Sequence, residues 1–443
     1  MTKPTEARDE FSAHLARVLS VFNSALDEAG ADAMVIEAGR QHLIFQDDQS
    51  YPYRPSPWYQ WLAPAPPAPG SLILLRNNEL PELLLVTPED FWHAPPQLPT
   101  ADWTRHFHLV ALPTAQAALE RALSLSGKVV WLGESPSPRV GWPANPPRLL
   151  ARLELERAIK SQYELGCMRE ASLMGARGHL AAARAFREGR AEFDIHLAFL
   201  GATAQNETEL PYGSIVALNE HCATLHYQLR QLAAPPQMHS LLIDAGASCA
   251  GYASDITRTW AARPGHFSAL VEGMEHLQQQ LCGKVRAGLD WRDLHLETHH
   301  LLALLLREAG LLDMSPEEAV ATGVSAIFLP HGLGHLLGLQ VHDVGGFRDQ
   351  PEGEAIPRPP GHPALRLTRR LVPGMVVTVE PGLYFIDSLL RKLRAGPQGS
   401  RVNWKLVDEL APCGGIRIED NVVVCAQGGE NLTRAAFAAL ATG

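Results

Sequence analysis

Four carboxylates set among apolar residues constrain this chain more than anything else in it. Asp244 and Asp255 lie in LLIDAGASCAGYASDITRT (241–259), Glu380 in VVTVEPGLYF (376–385) and Glu419 in GGIRIEDNVVV (414–424). A fourth segment, FLPHGLGHLLGLQVHDVGGF (328–347), adds His335 among glycines and a short apolar run. Isolated buried charges neutralise or find partners, so four acids drawn into one interior need cations to stay there.

The local patterns say how these groups could meet. Asp244 and Asp255 stand on two apolar runs joined by ASCAGY, whose small residues and glycine suit a hairpin. Closure about Cys249 and Ala250 places the two aspartates directly opposite, with Cβ atoms ~5 Å apart on one face. Like charges at that spacing repel, and a shared metal relieves them. Glu380 ends the run VVTVE, and the Pro-Gly after it stops the ladder, which leaves a carboxylate at a strand terminus. Arg417 and Glu419 are two residues apart and share a strand face, so the guanidinium is a partner for a ligating carboxylate or an oxyanion donor. Four carboxylates balance two divalent ions with a bridging hydroxide as the extra anion, whereas a single zinc would be overcharged. Oxygen-rich ligation with one imidazole favours a hard ion such as Mn2+, although Co2+ or Zn2+ would also bind. Two ions ~3.5–4 Å apart can generate hydroxide at neutral pH and clamp a tetrahedral intermediate.

At 443 residues the chain exceeds what one hydrophobic core supports, so two domains are expected. Its 46% hydrophobic and 19% charged content is that of a soluble globular protein, and a net charge of −10 without a Lys/Arg cluster argues against nucleic-acid or anionic-membrane partners. The start, MTKPTEARDE, has no basic region followed by an apolar run, and no apolar stretch is long enough to span a bilayer, so a cytoplasmic location is expected. The six cysteines (Cys167, Cys222, Cys249, Cys282, Cys413 and Cys425) form no CxxC pair and are assigned no role.

Helical spacing near 7–29 and 114–126 alternates with strand-like runs at 71–77, 82–87 and 128–134, which predicts a mixed α/β first domain over 1–155. Its aromatic and proline-rich stretch at 45–69 reads equally as an interface or as a loop covering its own domain. The proline cluster at 135–148 is expected to be the domain boundary, and one long helix at 151–189 to lead into a second domain, 156–443. There, helices near 191–206, 266–286 and 293–309 are interleaved with strands at 213–218, 223–229, 239–245, 253–261, 374–380 and 415–425.

The order Asp, Asp eleven residues later, HGxGHxxGLxVHD, TVEPG and RIED resembles the pita-bread metallopeptidases, and within them the bacterial Xaa-Pro dipeptidases (prolidases), including those called organophosphorus acid anhydrolases. The likeness extends to AIKSQYELGCMREA, PYGSIVALNEHCATLHY, LRLTRRLVPGMVVTVEPGLYFIDSLL, FQDDQSYPY and PEDFWH. It implies an α+β chain in which a smaller mixed α/β N-terminal domain, serving dimerisation and part of the substrate pocket, precedes a C-terminal pita-bread catalytic domain.

It further implies two Mn2+ per subunit on Asp244, Asp255, His335, Glu380 and Glu419, with Asp255 and Glu419 bridging. His226 and His342 would hold the scissile carbonyl and its oxyanion, and Glu380 would carry a proton from the bridging water to the proline nitrogen. Arg366 and His331 would hold the proline carboxylate. Asp48 of a partner subunit would meet the free amine, and Tyr212 would line the pocket. The function implied is hydrolysis of dipeptides with C-terminal proline by a homodimer, with phosphotriester hydrolysis as an added activity. Aminopeptidase P activity on longer peptides is the nearest rival. A catalytically silent binding protein is the rival of another class, but it would have lost ligands that are all present here.

Overall fold

Leucine- and valine-rich runs become strands where both of their faces can be covered, and the first part of the chain supplies several in a row. The computed structural model describes residues 4–64, 68–92 and 98–441. Its first elements are α1 (Pro4–Ala29), β1 (Ala33–Glu37), α2 (Pro57–Leu62), β2 (Leu72–Arg76), β3 (Glu82–Val86), β4 (His108–Leu112), α3 (Ala115–Leu123), β5 (Val129–Leu132) and α4 (Pro147–Arg157). The strands form a mixed sheet in the order β4-β3-β2-β1-β5, with β1/β5 and β3/β4 parallel and the other pairs antiparallel. Val35, Leu74, Leu84 and Trp131 pack there against Ala118 and Ala122 of α3. Edge strand β4 has no fully buried residue: Leu109, Val110 and Leu112 are partly covered, and His108 and Ala111 are exposed.

The stretch at 45–69 divides: Tyr59 and Trp61 of α2 are buried, while Phe45 and Tyr51 are exposed. Its residues 65–67, and His93 of PEDFWH, lie outside the described residues.

Two sequence expectations need correction here. The proline cluster is not a boundary, because it is stitched to β5: Trp131 N–H donates to the Pro143 carbonyl and Asn145 N–H to the Trp131 carbonyl. The chain divides instead after Arg157. One unit holds Met1–Arg157, Ser161–Glu164 and Gln350–Gly353, and the other Ala158–Lys160, Leu165–Asp349 and Glu354–Gly443. Nor is 151–189 one helix. It breaks at 158–161, and α5 (Gln162–Arg187) restarts from a capping box in which Ser161 N–H donates to Glu164 Oε2 at 2.7 Å and Glu164 N–H to Ser161 Oγ at 3.3 Å.

The second unit continues with α6 (Glu192–Thr203), β6 (Ile215–Leu218), β7 (Ser240–Asp244), β8 (Ser248–Cys249), β9 (Tyr252–Ala253), β10 (Thr257–Ala261), α7 (His266–Lys284), α8 (Trp291–Glu308), α9 (Pro316–Ala321) and α10 (Val324–Phe328). It ends with β11 (Val376–Val379), β12 (Gly382–Tyr384), α11 (Asp387–Ala395), α12 (Trp404–Leu410), β13 (Gly415–Arg417), β14 (Asp420–Val424), β15 (Gly429–Asn431) and α13 (Leu432–Ala441). Its sheets are antiparallel and small: β10-β7-β6, β11-β14-β15 and the ribbon β12-β13. Helices α7, α8 and α10 cover them through a core that includes Met274, Trp291, Phe328, Val377, Tyr384 and Ile416. Among the described residues no helix is long and apolar enough to cross a membrane.

The strand expected at 223–229 is absent. Asn219, at φ +56°, turns the chain into a short 3-10 helix, and the buried Glu192 carboxylate takes over the bonds a strand neighbour would have made. It accepts from Leu218 N–H, His221 Nδ1, the Tyr227 hydroxyl and Gln231 N–H, at 2.7–2.9 Å. An anion holding four donors fixes this segment as a loop.

Candidate metal centre

Register brings the acids together. Strands β7 and β10 pair Asp244 with Thr257, and an isolated bridge pairs Thr257 with Glu419. Directly opposed residues in antiparallel neighbours project to the same face, so Asp244, Thr257 and Glu419 form one row across three segments. Asp255, two residues before Thr257, is fixed alongside: its N–H donates to Asn421 Oδ1 at 3.0 Å, and Asn421 Nδ2 donates to its carbonyl. The aspartates are therefore not directly opposite each other, contrary to the sequence reading. The turn lies one residue further on, at Ala250 (φ +50°) and Gly251 (φ +85°), with Cys249 opposite Tyr252. Two consecutive positive φ angles define the hairpin turn whose twist matches its strands.

His335 and Glu380 meet through a second seam. Glu380 N–H donates to the Leu333 carbonyl, Thr378 N–H to His335 and Leu337 N–H to Val376, each at 2.9 Å, so 333–337 runs antiparallel to β11. Glycine at 334 allows this approach, since a Cβ there would stand 2.0 Å from the Thr378 carbonyl oxygen.

The resulting cluster is dense. Ligand atoms of Asp255, His335 and Glu419 lie within 4.8 Å of one another. His335 Nε2 is 3.4 Å from Asp255 Oδ2 and 3.7 Å from Glu380 Oε1. Asp244 Oδ2 accepts from Arg417 at 2.7 Å, whereas its Oδ1 is buried without a hydrogen-bond partner. Burial, then the neighbouring carboxylates Asp255, Glu380 and Asp244, push Glu419 well above the usual carboxylate range. Burial also raises Glu380 and Asp244, against the pull of His335 and Arg417. Such a donor set, with one orphaned oxygen and a surplus of negative charge, fits divalent cations.

That misfit between charge and burial has a measurable outcome. In metal-free protein these acids keep protons that the unfolded chain releases, so stability complete below the unfolded values is lost as pH rises through the folded ones. A divalent ion replaces those protons. The gain in Tm on adding Mn2+ is expected to be larger at about pH 8 than at about pH 5, by about 5 °C or more, in a differential scanning experiment. An equal gain at both would mean that the acids do not hold the ion.

Around the cluster the expected residues are placed unequally. Arg417 donates to Asp244 and, at 2.9 Å, to the Tyr384 hydroxyl, so it partners a carboxylate other than its strand neighbour Glu419, which accepts from Thr257 Oγ1 at 2.7 Å. Tyr212 is more than a wall, since its hydroxyl donates to Asp255 Oδ1 at 2.5 Å. Both nitrogens of His331 are engaged. The Gly332 carbonyl can only accept, so Nδ1 carries the proton at 2.8 Å, and Nε2 accepts from the Tyr384 hydroxyl at 2.8 Å. Burial and then the Arg417 charge bring His331 down to about 3, so it is neutral near pH 7.

The ring of His342 meets that of His335 edge-on at 4.4 Å, and its loop is anchored by the buried Asp343–Lys160 pair at 2.9 Å. Exposed His226 and Arg366 are close enough for their charges to act on His342. Asp48 lies in the first unit, on an exposed turn. Sequence reading missed Thr257, Tyr384 and Asn421. Each is two to four residues from an expected ligand in DITRT, EPGLY and EDN, and proximity to a ligand along a strand was the available signal.

Comparison with known proteins agrees with this arrangement. A sequence model of metallopeptidase family M24 matches residues 166–426, and one for the Xaa-Pro dipeptidase N-terminal domain matches 9–155. The chain is 46% identical over 433 residues to an Xaa-Pro dipeptidase of Stenotrophomonas maltophilia, covering 97% of each. It is 46% identical over 431 residues to one of Xanthomonas campestris pv. campestris, covering 97% of this chain and 98% of that one. Among solved structures, the Pseudomonas aeruginosa aminopeptidase PepP superposes with a TM-score of 0.73 at 23% identity, covering 97% and 99% of the two chains. Zinc-substituted Escherichia coli aminopeptidase P in complex with product gives 0.72 at 22%, covering 98% of each. At those identities the structural likeness speaks for the fold alone.

Proposed function

The chain belongs to metallopeptidase family M24, and from that premise we propose that it is a metal-dependent dipeptidase hydrolysing Xaa-Pro dipeptides with a C-terminal proline. The carrying observation is the full-length likeness to proteins named Xaa-Pro dipeptidase, N-terminal domain included. The acid and imidazole cluster supplies the chemical rationale. In this reading Asp244, Asp255, His335, Glu380 and Glu419 hold two ions per subunit, Mn2+ by preference with Co2+ or Zn2+ as substitutes. When bound, the ions supply Lewis acidity and an ionised water at neutral pH.

The chain's own groups do the rest. Glu380, with its carboxyl raised by burial and facing both His331 and His335, takes a proton and passes it to the departing prolyl nitrogen. His226 and His342 present donors to the carbonyl oxygen as it gains charge. Arg417 fixes Asp244 and, through Tyr384, the tautomer of His331. Arg366, exposed and without a hydrogen-bond or ion-pair partner among the described residues, would take the proline carboxylate directly, whereas His331 must first release Tyr384 or Gly332.

We take the active form as a cytoplasmic homodimer in which Asp48 of a partner subunit meets the free amine. The exposure of Asp48 and of nearby Phe45 supports that part of the reading.

Prolyl peptides need such a site because the ring removes the N–H and fixes φ, which excludes them from sites built for an amide-donating backbone. A pocket closed round the carboxylate should hydrolyse Ala-Pro with kcat/KM about 100-fold above Ala-Pro-Ala, because in the longer peptide the proline carries a neutral amide and a further residue where the dipeptide carries its carboxylate. Equal values in a steady-state comparison would favour aminopeptidase P activity. A phosphotriester has a tetrahedral centre like the hydrolysis intermediate, so slow release of nitrophenol from such an ester is expected, and its absence would remove that activity.

A further inference from the structure

A second cluster of ligating side chains shares no residue with the acidic one. On α8, His295 and His299 are separated by one helical turn and share a face, and His362 reaches them from the loop before Leu365. The ring centroids are 4.8 Å apart for His295 and His299, 4.6 Å for His295 and His362, and 4.5 Å for His299 and His362. One nitrogen from each lies within 4.8 Å of the others.

Three histidines packed together are more often core residues with satisfied nitrogens. Here His295 and His299 are 0% exposed, yet neither nitrogen of His295 nor Nε2 of His299 has a hydrogen-bond partner among the described residues. Buried polar atoms are nearly always paired, so unpaired nitrogens on two adjoining rings of a three-histidine cluster point to a ligand. His299 Nδ1 is occupied, 3.2 Å from Ser325 Oγ, and that bond orients the ring.

We propose that His295, His299 and His362 form a third cation site, one that takes a borderline transition ion such as Zn2+ through nitrogen ligands alone. His362 is half-exposed, which leaves a route in from solvent and an open coordination position. The ligand chemistry separates this site from the acidic centre: imidazole suits Zn2+, whereas the oxygen-rich cluster suits Mn2+. Burial keeps all three rings neutral, with His295 near 2 and His299 near 3, so their lone pairs are free at neutral pH. A bound ion would tie the segment carrying His362, and Arg366 four residues on, to α8.

The test compares the full-length wild-type chain with His362→Ala. Both are equilibrated with equal Mn2+ and limiting ZnCl2, freed of unbound metal by gel filtration, and assayed for both metals. The expected result is a loss of one zinc per chain in His362→Ala, with manganese content and circular dichroism unchanged. Asp255→Asn, which impairs the acidic centre, should still retain that zinc. Equal zinc in wild type and His362→Ala, or no zinc on either, would overturn the site and assign the pocket to water. A failure of the proposed peptidase reading would appear separately, in the Ala-Pro assay.

Discussion

Asp255→Asn is expected to lower kcat/KM for Ala-Pro by about 10³-fold or more, equivalent to about 4 kcal/mol of transition-state stabilisation. Asparagine is nearly isosteric, and the backbone of residue 255 would stay tied to Asn421, so the fold should survive. The change removes one negative charge at the junction of the cluster, where the carboxylate lies 3.4 Å from His335 and accepts from Tyr212. An amide nitrogen turned towards the ligand position would present hydrogens to a cation. Metal content should therefore fall along with rate. Substantial activity with normal metal content would remove Asp255 from the ligand set, and with it the basis for a dinuclear site.

Asp420→Ala should cost about 3–5 kcal/mol of stability and lower Tm by about 10 °C, because it leaves the buried Arg258 guanidinium without its anion. Asp420 is 0% exposed and accepts from Arg258 and from Arg434 Nε, each at 2.7 Å, and from Asn431 at 2.8 Å. Burial alone would raise its carboxyl, but the two guanidinium groups bring it down to about 2. Its stabilisation is present above the unfolded pKa and is lost as pH falls towards 2. Arg258 also donates to the carbonyls of Thr257 and Glu419, so loosening it should slacken the seam that aligns the acids. Thermal unfolding checks the first effect, and a higher Mn2+ concentration for half-maximal activity in the surviving protein checks the second. A Tm within 2 °C of wild type would show the network to be dispensable.

The carboxylates and His335 were legible because each interrupts an apolar run at a place where a solvated edge is a poor explanation. Their register was not legible. The choice between a turn at Cys249–Ala250 and one at Ala250–Gly251 depends on which residue takes a positive φ, and the small residues of ASCAGY permit either. The segment at 223–229 alternates like a strand, but a single buried anion, Glu192, gathered its donors from residues far apart in sequence. The break before α5 was visible in principle, since Ser161 and Glu164 have capping-box spacing, but the helical periodicity on both sides concealed it. The three-histidine cluster combines a helical i, i+4 pair with a residue more than sixty positions away, and only the folded chain brings them together.

The two-residue tip at Ala250 and Gly251 divides the hairpin into parts with different tolerance for length change. Residues added at the tip displace only solvent-side backbone. One residue added between Tyr252 and Asp255 would invert the side-chain alternation, turning the carboxylate away from His335 and presenting its neighbour in its place. Natural variants of this chain should therefore accept indels at the apex of the ribbon and exclude them from the few residues below it.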